Sequence, residues 1–221
     1  MQRPGPGLPG GDVTIKLSVT SYTGGPLTAV PAFGLVANHP ALDFCNTVGE
    51  WADGRPRRDK LVTHGHLLAW ARAAGLLTAA EAAGLRRPPA PARLLARARG
   101  FRSALYELLT AALSGRQPDA GAVSIVEAEV SRAHAARRLE PVRGGYVWRW
   151  ADPAAADRPL LEVARAAAEL LDAPLERVRR CGGDGCGWLF RDTSRGGRRR
   201  WCSMSTCGNT AKVRRFRGSD R

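Results

Sequence analysis

Long apolar runs are missing from this sequence of 221 residues. No segment approaches the roughly 18 consecutive apolar residues with which a helix crosses a bilayer, so a helical membrane protein is excluded. The first residues, from Met1 to Pro6, also lack the apolar stretch of a signal peptide. We therefore expect a soluble, cytoplasmic protein without a membrane partner.

Aromatic and acidic residues are also scarce. Aromatics make up 6% of the chain, and much of the apolar content is Ala and Leu, which favours helices over strands. Asp and Glu number 20 against 34 Lys and Arg, which gives a formal net charge of +14. Residues 177–221 alone hold 13 basic and 3 acidic residues. This excess predicts a polyanionic partner for the C-terminal part of the chain.

The sequence before residue 177 predicts a leader and a mainly helical domain. Residues 1–32 are rich in Gly, Pro, Thr and Ser, which is typical of a flexible leader. Residues 33–36 and 41–48 read as short extended segments around a turn at Asn38-His39-Pro40. Residues 33–176 then form the predicted helical domain, with small antiparallel strands.

Capping signals and apolar periodicity place the helices of this domain. Thr63 can cap a helix that ends near residue 75, and Thr78 can open a capping box for a short helix to residue 84. Apolar residues at alternating steps of three and four predict the longest helix over 91–113. Asp119 can cap a helix over 120–137, a Gly-Gly turn predicts a hairpin around 142–147, and a last helix spans 159–171.

Four of the five cysteines form two Cys-x4-Cys pairs separated by fifteen residues: Cys181, Cys186, Cys202 and Cys207. Four thiolates satisfy the tetrahedral preference of Zn²⁺, so we predict one structural zinc. Free or redox-active cysteines and an iron–sulfur cluster are the alternatives. A catalytic zinc is disfavoured because four sulfurs leave no position open for water. Cys45 reads as a small buried apolar residue.

The residues around these cysteines predict a treble-clef-like module over 177–221, made of a knuckle, a hairpin and a helix. Residues 187–192 and 198–202 are the predicted hairpin strands, joined by a turn at Gly196-Gly197. Ser203 can cap a helix over 204–217 that Gly218 ends. The fold class is therefore α+β, with a helical domain followed by the small zinc module.

Basic residues crowd this module, and they are the candidate nucleic-acid contacts. Phosphate contacts are predicted for the hairpin and the second half of the helix, namely Arg198, Arg199, Arg200, Lys212, Arg214, Arg215 and Arg217. Asn209 and Thr210 are shorter and polar, which suits base-edge contacts in a major groove. The alternative is that the cations near the C-terminus of this helix stabilise the helix itself, through its dipole, and contact no nucleic acid.

The segments around the cysteines also carry a resemblance: Arg179-Arg180-Cys181, Cys186-Gly187-Trp188-Leu189-Phe190, Asp192-Thr193-Ser194, residues 197–204 and Cys207-Gly208-Asn209. They resemble the CGNR-type zinc finger of bacterial stress-induced transcription regulators, which carry an ABATE domain before it. Residues 41–47 resemble the opening motif of that domain. The resemblance implies DNA-binding regulation. Thr210 stands where the family name has Arg, so Lys212 or Arg214 would have to supply that residue's contact.

The first functional hypothesis is a transcription regulator that binds DNA through the zinc module, while the N-terminal domain senses a small-molecule effector or mediates assembly, for example as a homodimer. An RNA-binding accessory protein is the second, and a pure interaction module is a further alternative. An enzyme, with Asp43, Asn46, His64 and His66 as its polar candidates, is disfavoured because no catalytic motif accompanies them. We therefore expect no catalytic residues.

Overall fold

The computed structural model describes residues 30–219, so the predicted leader lies almost entirely outside the described residues. The elements, in chain order, are α1 (Pro40–Cys45), β1 (Val48–Ala52), β2 (Arg55–Asp59), α2 (His64–Ala73), α3 (Ala79–Gly84), α4 (Pro91–Leu113), α5 (Ala120–Ala135), β3 (Arg137–Val142), β4 (Gly145–Trp150), α6 (Arg158–Leu171), β5 (Val178–Arg180), β6 (Leu189–Arg191), a π-helix (Met204–Gly208) and α7 (Asn209–Ser219). The strands of this described part form three antiparallel hairpins, β1–β2, β3–β4 and β5–β6. The α+β class is confirmed. Among the described residues, no helix has the length and apolar character needed to cross a membrane.

Local signals fixed the helix boundaries well. The longest helix spans Pro91–Leu113, as predicted. The Thr63 side chain accepts from the backbone N–H of His66, and Thr78 forms a complete capping box with Glu81. Asp119 caps α5 through the N–H of Ala122 at 3.0 Å. These caps satisfy backbone donors that the first turn of a helix leaves unpaired.

Two predictions in the helical part were wrong in detail. Residues 40–45 are helical rather than extended, because His39 Nδ1 accepts from Ala41 N at 3.2 Å and Pro40 suits the first turn. The predicted Gly-Gly turn is instead Arg143-Gly144, and Gly145 already belongs to β4. Gly144 has a φ of 84°, a backbone conformation that glycine adopts without steric cost.

The core is continuous from the helices into the C-terminal segment. Phe44, Phe101 and Leu160 are fully buried in the helical part, and Leu189 and Phe190 of β6 are fully buried in the same cluster. The C-terminal segment is therefore packed into the main core instead of hanging from it. This arrangement supplies the burial that so short a segment could not achieve alone.

Strand β6 is tied to α1 by a pair of hydrogen bonds from one side chain. Asn46 Nδ2 donates to the Leu189 carbonyl at 2.8 Å, and Leu189 N donates back to Asn46 Oδ1 at 3.0 Å. Arg191 N donates to the Ala37 carbonyl at 2.8 Å. The Asn46 amide thus satisfies the backbone N–H and carbonyl of Leu189, as a neighbouring strand would. Together, the three hydrogen bonds hold the C-terminal segment on the helices.

Replacing Asn46 with Ala will lower the free energy of unfolding by about 2–4 kcal/mol, because a buried N–H and a buried carbonyl of Leu189 lose their partner. Urea denaturation of the metal-loaded protein measures this. Asn38→Asp is the control: it removes exposed amide bonds to Arg191 and Thr193, and Asp tolerates the φ of 58° at this position. It will cost less than about 1 kcal/mol. Equal costs for the two variants would contradict the role of Asn46.

Candidate zinc centre and nucleic-acid surface

The fold gathers the sulfur atoms of all four predicted ligands, which are Cys181, Cys186, Cys202 and Cys207. They lie within 4.8 Å of one another. The Cys186–Cys202 and Cys202–Cys207 sulfur distances are 3.7 and 3.6 Å. A tetrahedron with Zn–S bonds of about 2.3 Å has edges of about 3.8 Å, whereas a disulfide needs about 2.05 Å. The cluster therefore fits one structural Zn²⁺, which confirms the predicted cofactor.

Backbone donors around Cys181 support a thiolate there. Gly183 N and Cys202 N donate to Cys181 Sγ at 3.4 and 3.2 Å. Gly183 also lies so close to the cluster that a Cβ at this position would be 2.9 Å from Cys207 Sγ. The knuckle therefore requires glycine at 183, and its amides point at the charge that a metal-bound sulfur carries.

The acid–base balance of the cluster also calls for a cation. Hydrogen bonds from Cys186 and Cys202 lower the pKa of the Cys181 thiol to about 2. The hydrogen bond to Cys181 raises the pKa of Cys186 to about 12, and bonds to Cys181 and Cys186 also raise the pKa of Cys202. Without a cation, repulsion between neighbouring thiolates opposes the ionisation of more than one of these sulfurs. A bound dication allows them to ionise together and cross-links the two chain segments.

The predicted hairpin of the module was wrong. Strand β6 pairs with β5, which precedes the first cysteine, and residues 198–202 form no strand. Asp192 explains the difference, since its carboxylate accepts from Ser194 N at 2.9 Å and from Arg199 N at 2.9 Å. These bonds close a loop after β6 and prevent residues 198–202 from pairing with it.

The helix that follows Cys202 starts as predicted, but with a wider first turn. Ser203 Oγ accepts from Ser205 N at 3.2 Å, which confirms it as the cap. A π-helix spans Met204–Gly208 and leads into α7 at Asn209–Ser219, so the helix continues past Gly218. Such π turns are common at functional sites, and this one carries Cys207 into the sulfur cluster.

The three consecutive arginines before Cys202 point in different directions. Arg198 and Arg200 are exposed, and both line a depression of about 410 Å³ together with Arg199, Trp201, Ser203 and Met204. Arg199 is half-buried and faces inward: its Nε donates to the Trp201 carbonyl at 2.9 Å and its Nη2 to the Val36 carbonyl at 2.8 Å. Its guanidinium also lies 4.2 Å from the Phe190 ring centroid. Arg199 therefore ties the module to the segment before α1.

Helix α7 presents its predicted contact residues to solvent. The exposed residues are Asn209, Thr210, Lys212, Arg214, Arg215 and Arg217. Arg214 forms an ion pair with Asp184 of the knuckle. Thr210 Oγ1 donates to the Thr206 carbonyl at 3.1 Å, an ordinary bond within the helix. From Asn209 to Arg217 only Ala211 is even half-buried.

Three of the four polar residues considered for an enzyme, Asp43, Asn46 and His66, make structural hydrogen bonds here. Burial raises the pKa of Asp43 to about 6, although its carboxylate accepts from Ala37 N at 2.9 Å. Asn46 holds Leu189, as described above. His66 Nδ1 accepts from Val62 N at 3.3 Å. Burial lowers the pKa of His64, whose Nε2 has no partner within the described part of the chain.

Sequence reasoning missed two residues that position the knuckle. Tyr106 of α4 donates its hydroxyl to the Gly187 carbonyl at 2.7 Å, and Trp51 N of β1 donates to the Cys186 carbonyl at 2.9 Å. The two rings stack with centroids 3.7 Å apart. A Cβ at Gly187 would be 2.7 Å from Trp51 Cβ, so this contact requires glycine. In the sequence, both aromatics look like ordinary core residues.

The shared core predicts that zinc removal will affect more than the finger. Freshly purified protein will hold one zinc per chain with four sulfur ligands at about 2.3 Å by X-ray absorption. Chelation, or Cys202→Ser, will abolish hydrogen-exchange protection in residues 178–217 and reduce it in α1 and β1, because zinc binding and folding are coupled. Cys45→Ala is the control: Cys45 is fully buried outside the cluster, so this variant will keep its zinc. Unchanged protection in α1 and β1 would contradict the coupling.

Two family models match the chain. The first matches residues 38–174 and is ABATE, described as a "putative stress-induced transcription regulator". The second is the CGNR zinc finger and matches residues 177–218. A comparison with curated proteins finds no match at the required significance. Because the first model covers more than half of the chain, the protein belongs to the ABATE family and carries a CGNR zinc finger.

Proposed function

We propose that this protein is a DNA-binding transcription regulator whose zinc finger, residues 177–221, binds duplex DNA through α7. The helical region, residues 33–176, then senses a small-molecule effector or mediates assembly. The observation that carries the proposal is the exposure of α7. A helix of 11 residues is marginally stable by itself, yet every residue of this one from Asn209 to Arg217 except Ala211 is exposed, and the helix is strongly basic.

The order of side chains along α7 suits entry into a major groove. An α-helix fits the width of that groove, and its N-terminal residues approach the base edges. Asn209 and Thr210 begin α7, where short polar side chains can reach bases. Lys212 and Arg217 follow later in the helix, where long cations can reach the phosphates on either side.

A second phosphate contact lies before the helix. Arg198 and Arg200 line the depression that Ser203 and Met204 close on the helix side. Arg200 lies 5.3 Å from the Trp201 ring centroid, which limits its freedom and keeps its charge at the rim. Arg199 is left out of the proposed contact because its donors already bond carbonyl groups.

The bonds between the helical region and the knuckle support a regulatory role. Tyr106 of α4 donates to the Gly187 carbonyl and Trp51 of β1 donates to the Cys186 carbonyl. A ligand or partner that shifts α4 would therefore move a zinc ligand, and with it the presentation of α7. Regulation requires an element whose position is coupled to two sites. Here that element is the backbone around Cys186, which contacts the helical region and also belongs to the finger that carries α7.

Charge reversal tests the DNA contact. Mapping of bound genomic sites supplies a duplex, and its affinity for the wild-type protein will fall with salt with a log–log slope near −0.9 for each phosphate contact. Arg214→Glu with Arg215→Glu will weaken binding at least tenfold and flatten that slope by about two units. Arg72→Glu with Arg93→Glu makes the same change in net charge at exposed positions of α2 and α4, and will leave the slope unchanged.

Equal losses in the two double variants would reduce the interaction to net charge and overturn the proposal. If the mapping step enriches RNA and no duplex DNA, the same basic surface of the zinc finger would be assigned an RNA-binding function. Zinc content and hydrogen-exchange protection of α1 confirm that each variant is folded.

Restoring the family residue gives a second test. Thr210 is exposed on the first turn of α7, so Thr210→Arg adds a cation on the proposed DNA side without disturbing the core. We expect severalfold tighter binding or a changed base preference at one position, and a salt slope steeper by about one unit if the new contact is to phosphate. Thr210→Gln is the control, because it adds length without charge. No change with Arg would remove this face of α7 from the interface.

A further inference from the structure

The β3–β4 hairpin projects from the helical region with most of its length uncovered. Its base is fixed: Trp150 Nε1 donates to Glu162 Oε1 at 2.8 Å, and Ala151 N donates to the Ala136 carbonyl at 2.8 Å. Beyond this base, residues 139–149 are exposed apart from Glu140 and Val147, which are half-buried. The hairpin is therefore an ordered element with a free surface, and neither the zinc site nor α7 uses it.

One face of the hairpin carries apolar and aromatic side chains. The cross-strand pairs Leu139–Trp148 and Pro141–Tyr146 lie side by side on it. Leu139, Trp148 and Tyr146 keep 50%, 53% and 73% of their surface exposed. Neighbouring exposed groups of this size mark a binding surface more often than chance exposure. The Arg137 guanidinium lies 5.8 Å from the Trp148 ring centroid and supports that ring from the base of the hairpin.

The charge of the hairpin favours a polyanion over another protein surface. Residues 137–150 hold four arginines and one glutamate. That glutamate, Glu140, is paired with Arg149 at 3.1 Å. Arg143 occupies the turn, and Arg138 is exposed on the face opposite the aromatic rings. A second copy of the chain would bring four more arginines to the same place, whereas a nucleic-acid backbone brings the opposite charge.

We propose that this hairpin binds a single-stranded nucleic-acid segment, as a contact separate from the zinc finger. Bases stack on Tyr146 and Trp148, and Arg143 at the turn approaches the phosphates. Alternate residues of a strand are about 6.8 Å apart, twice the roughly 3.4 Å between successive nucleotides of a stacked strand. A nucleic-acid strand that is stretched until successive bases lie about 6.8 Å apart can therefore place one base on each ring. This contact does not depend on the duplex contact of α7.

The test uses the full-length, zinc-loaded protein and a fluorescent 20-nucleotide oligothymidine, with affinity measured by anisotropy. Tyr146→Ala with Trp148→Ala will weaken binding on the order of 100-fold, about tenfold for each ring. Val142→Ala is the matched control, because Val142 is exposed on the opposite face of the same hairpin, and it will bind as the wild type does. Photo-crosslinking with an iodouracil-substituted strand will label the peptide that contains residues 146–148.

An affinity within twofold of the wild type in the double variant, or labelling confined to the zinc finger, would overturn the proposal. The proposal would also be overturned if the double variant kept its affinity for the strand but lost self-association in sedimentation, or lost binding to phosphatidylserine vesicles. These results would assign the face to a second copy or to a lipid surface. The result for the hairpin does not affect the proposed contact of α7 with duplex DNA. That contact is tested with a different ligand, by the variant Arg214→Glu with Arg215→Glu.

Discussion

The docking of β6 against the segment around α1 is the constraint on which the rest of the described structure depends. A segment as short as the zinc finger cannot bury enough apolar surface to fold alone, so a metal or a neighbour must supply the difference. Here Cys181 and Cys186 lie in the connection between β5 and β6, Cys202 and Cys207 follow β6, and Asn46 pairs with the free edge of β6. The finger is therefore held in one orientation on the helices. The DNA contact proposed for α7 requires a helix that is held in such a fixed orientation.

The aromatic pair beneath the knuckle extends this constraint to α4. Tyr106 and Trp51 stack, and each bonds the backbone beside Cys186. The same hydroxyl is buried, and desolvation raises the pKa of Tyr106 to about 12, so it remains a hydrogen-bond donor at any physiological pH. Helix α4 is thus linked by one hydrogen bond to the residue that follows Cys186, and β1 is linked by another to Cys186 itself. The regulation proposed above would act through these two bonds.

The sequence predicted features with local causes and missed those with distant ones. The cap at Thr63, the capping box at Thr78 and the four clustered cysteines all depend on residues a few positions apart, and all were predicted. The partner of β6 was not, because nothing in residues 198–202 reveals that Asp192 closes the intervening loop. The helix at Pro40–Cys45 is an exception, because its cause is local: His39 caps it, and histidine is not among the common capping residues from which helix starts were predicted. Contact with nucleic acid depends on a partner molecule as well as on this chain, so the roles assigned to the exposed residues of α7 stay predictions.

The positions of the arginines explain where the excess charge can act. The fully buried Arg102 pairs with Asp59 at 2.6 Å, and Arg158 pairs with Glu162 at 2.8 Å, because an unpaired buried cation is costly. Carboxylates are in the minority, and several are committed to such pairs in the helical region. The net positive charge must therefore appear on elements that few carboxylates approach. The β3–β4 hairpin and α7 are two such elements, and their exposure is the physical counterpart of the charge imbalance in the sequence.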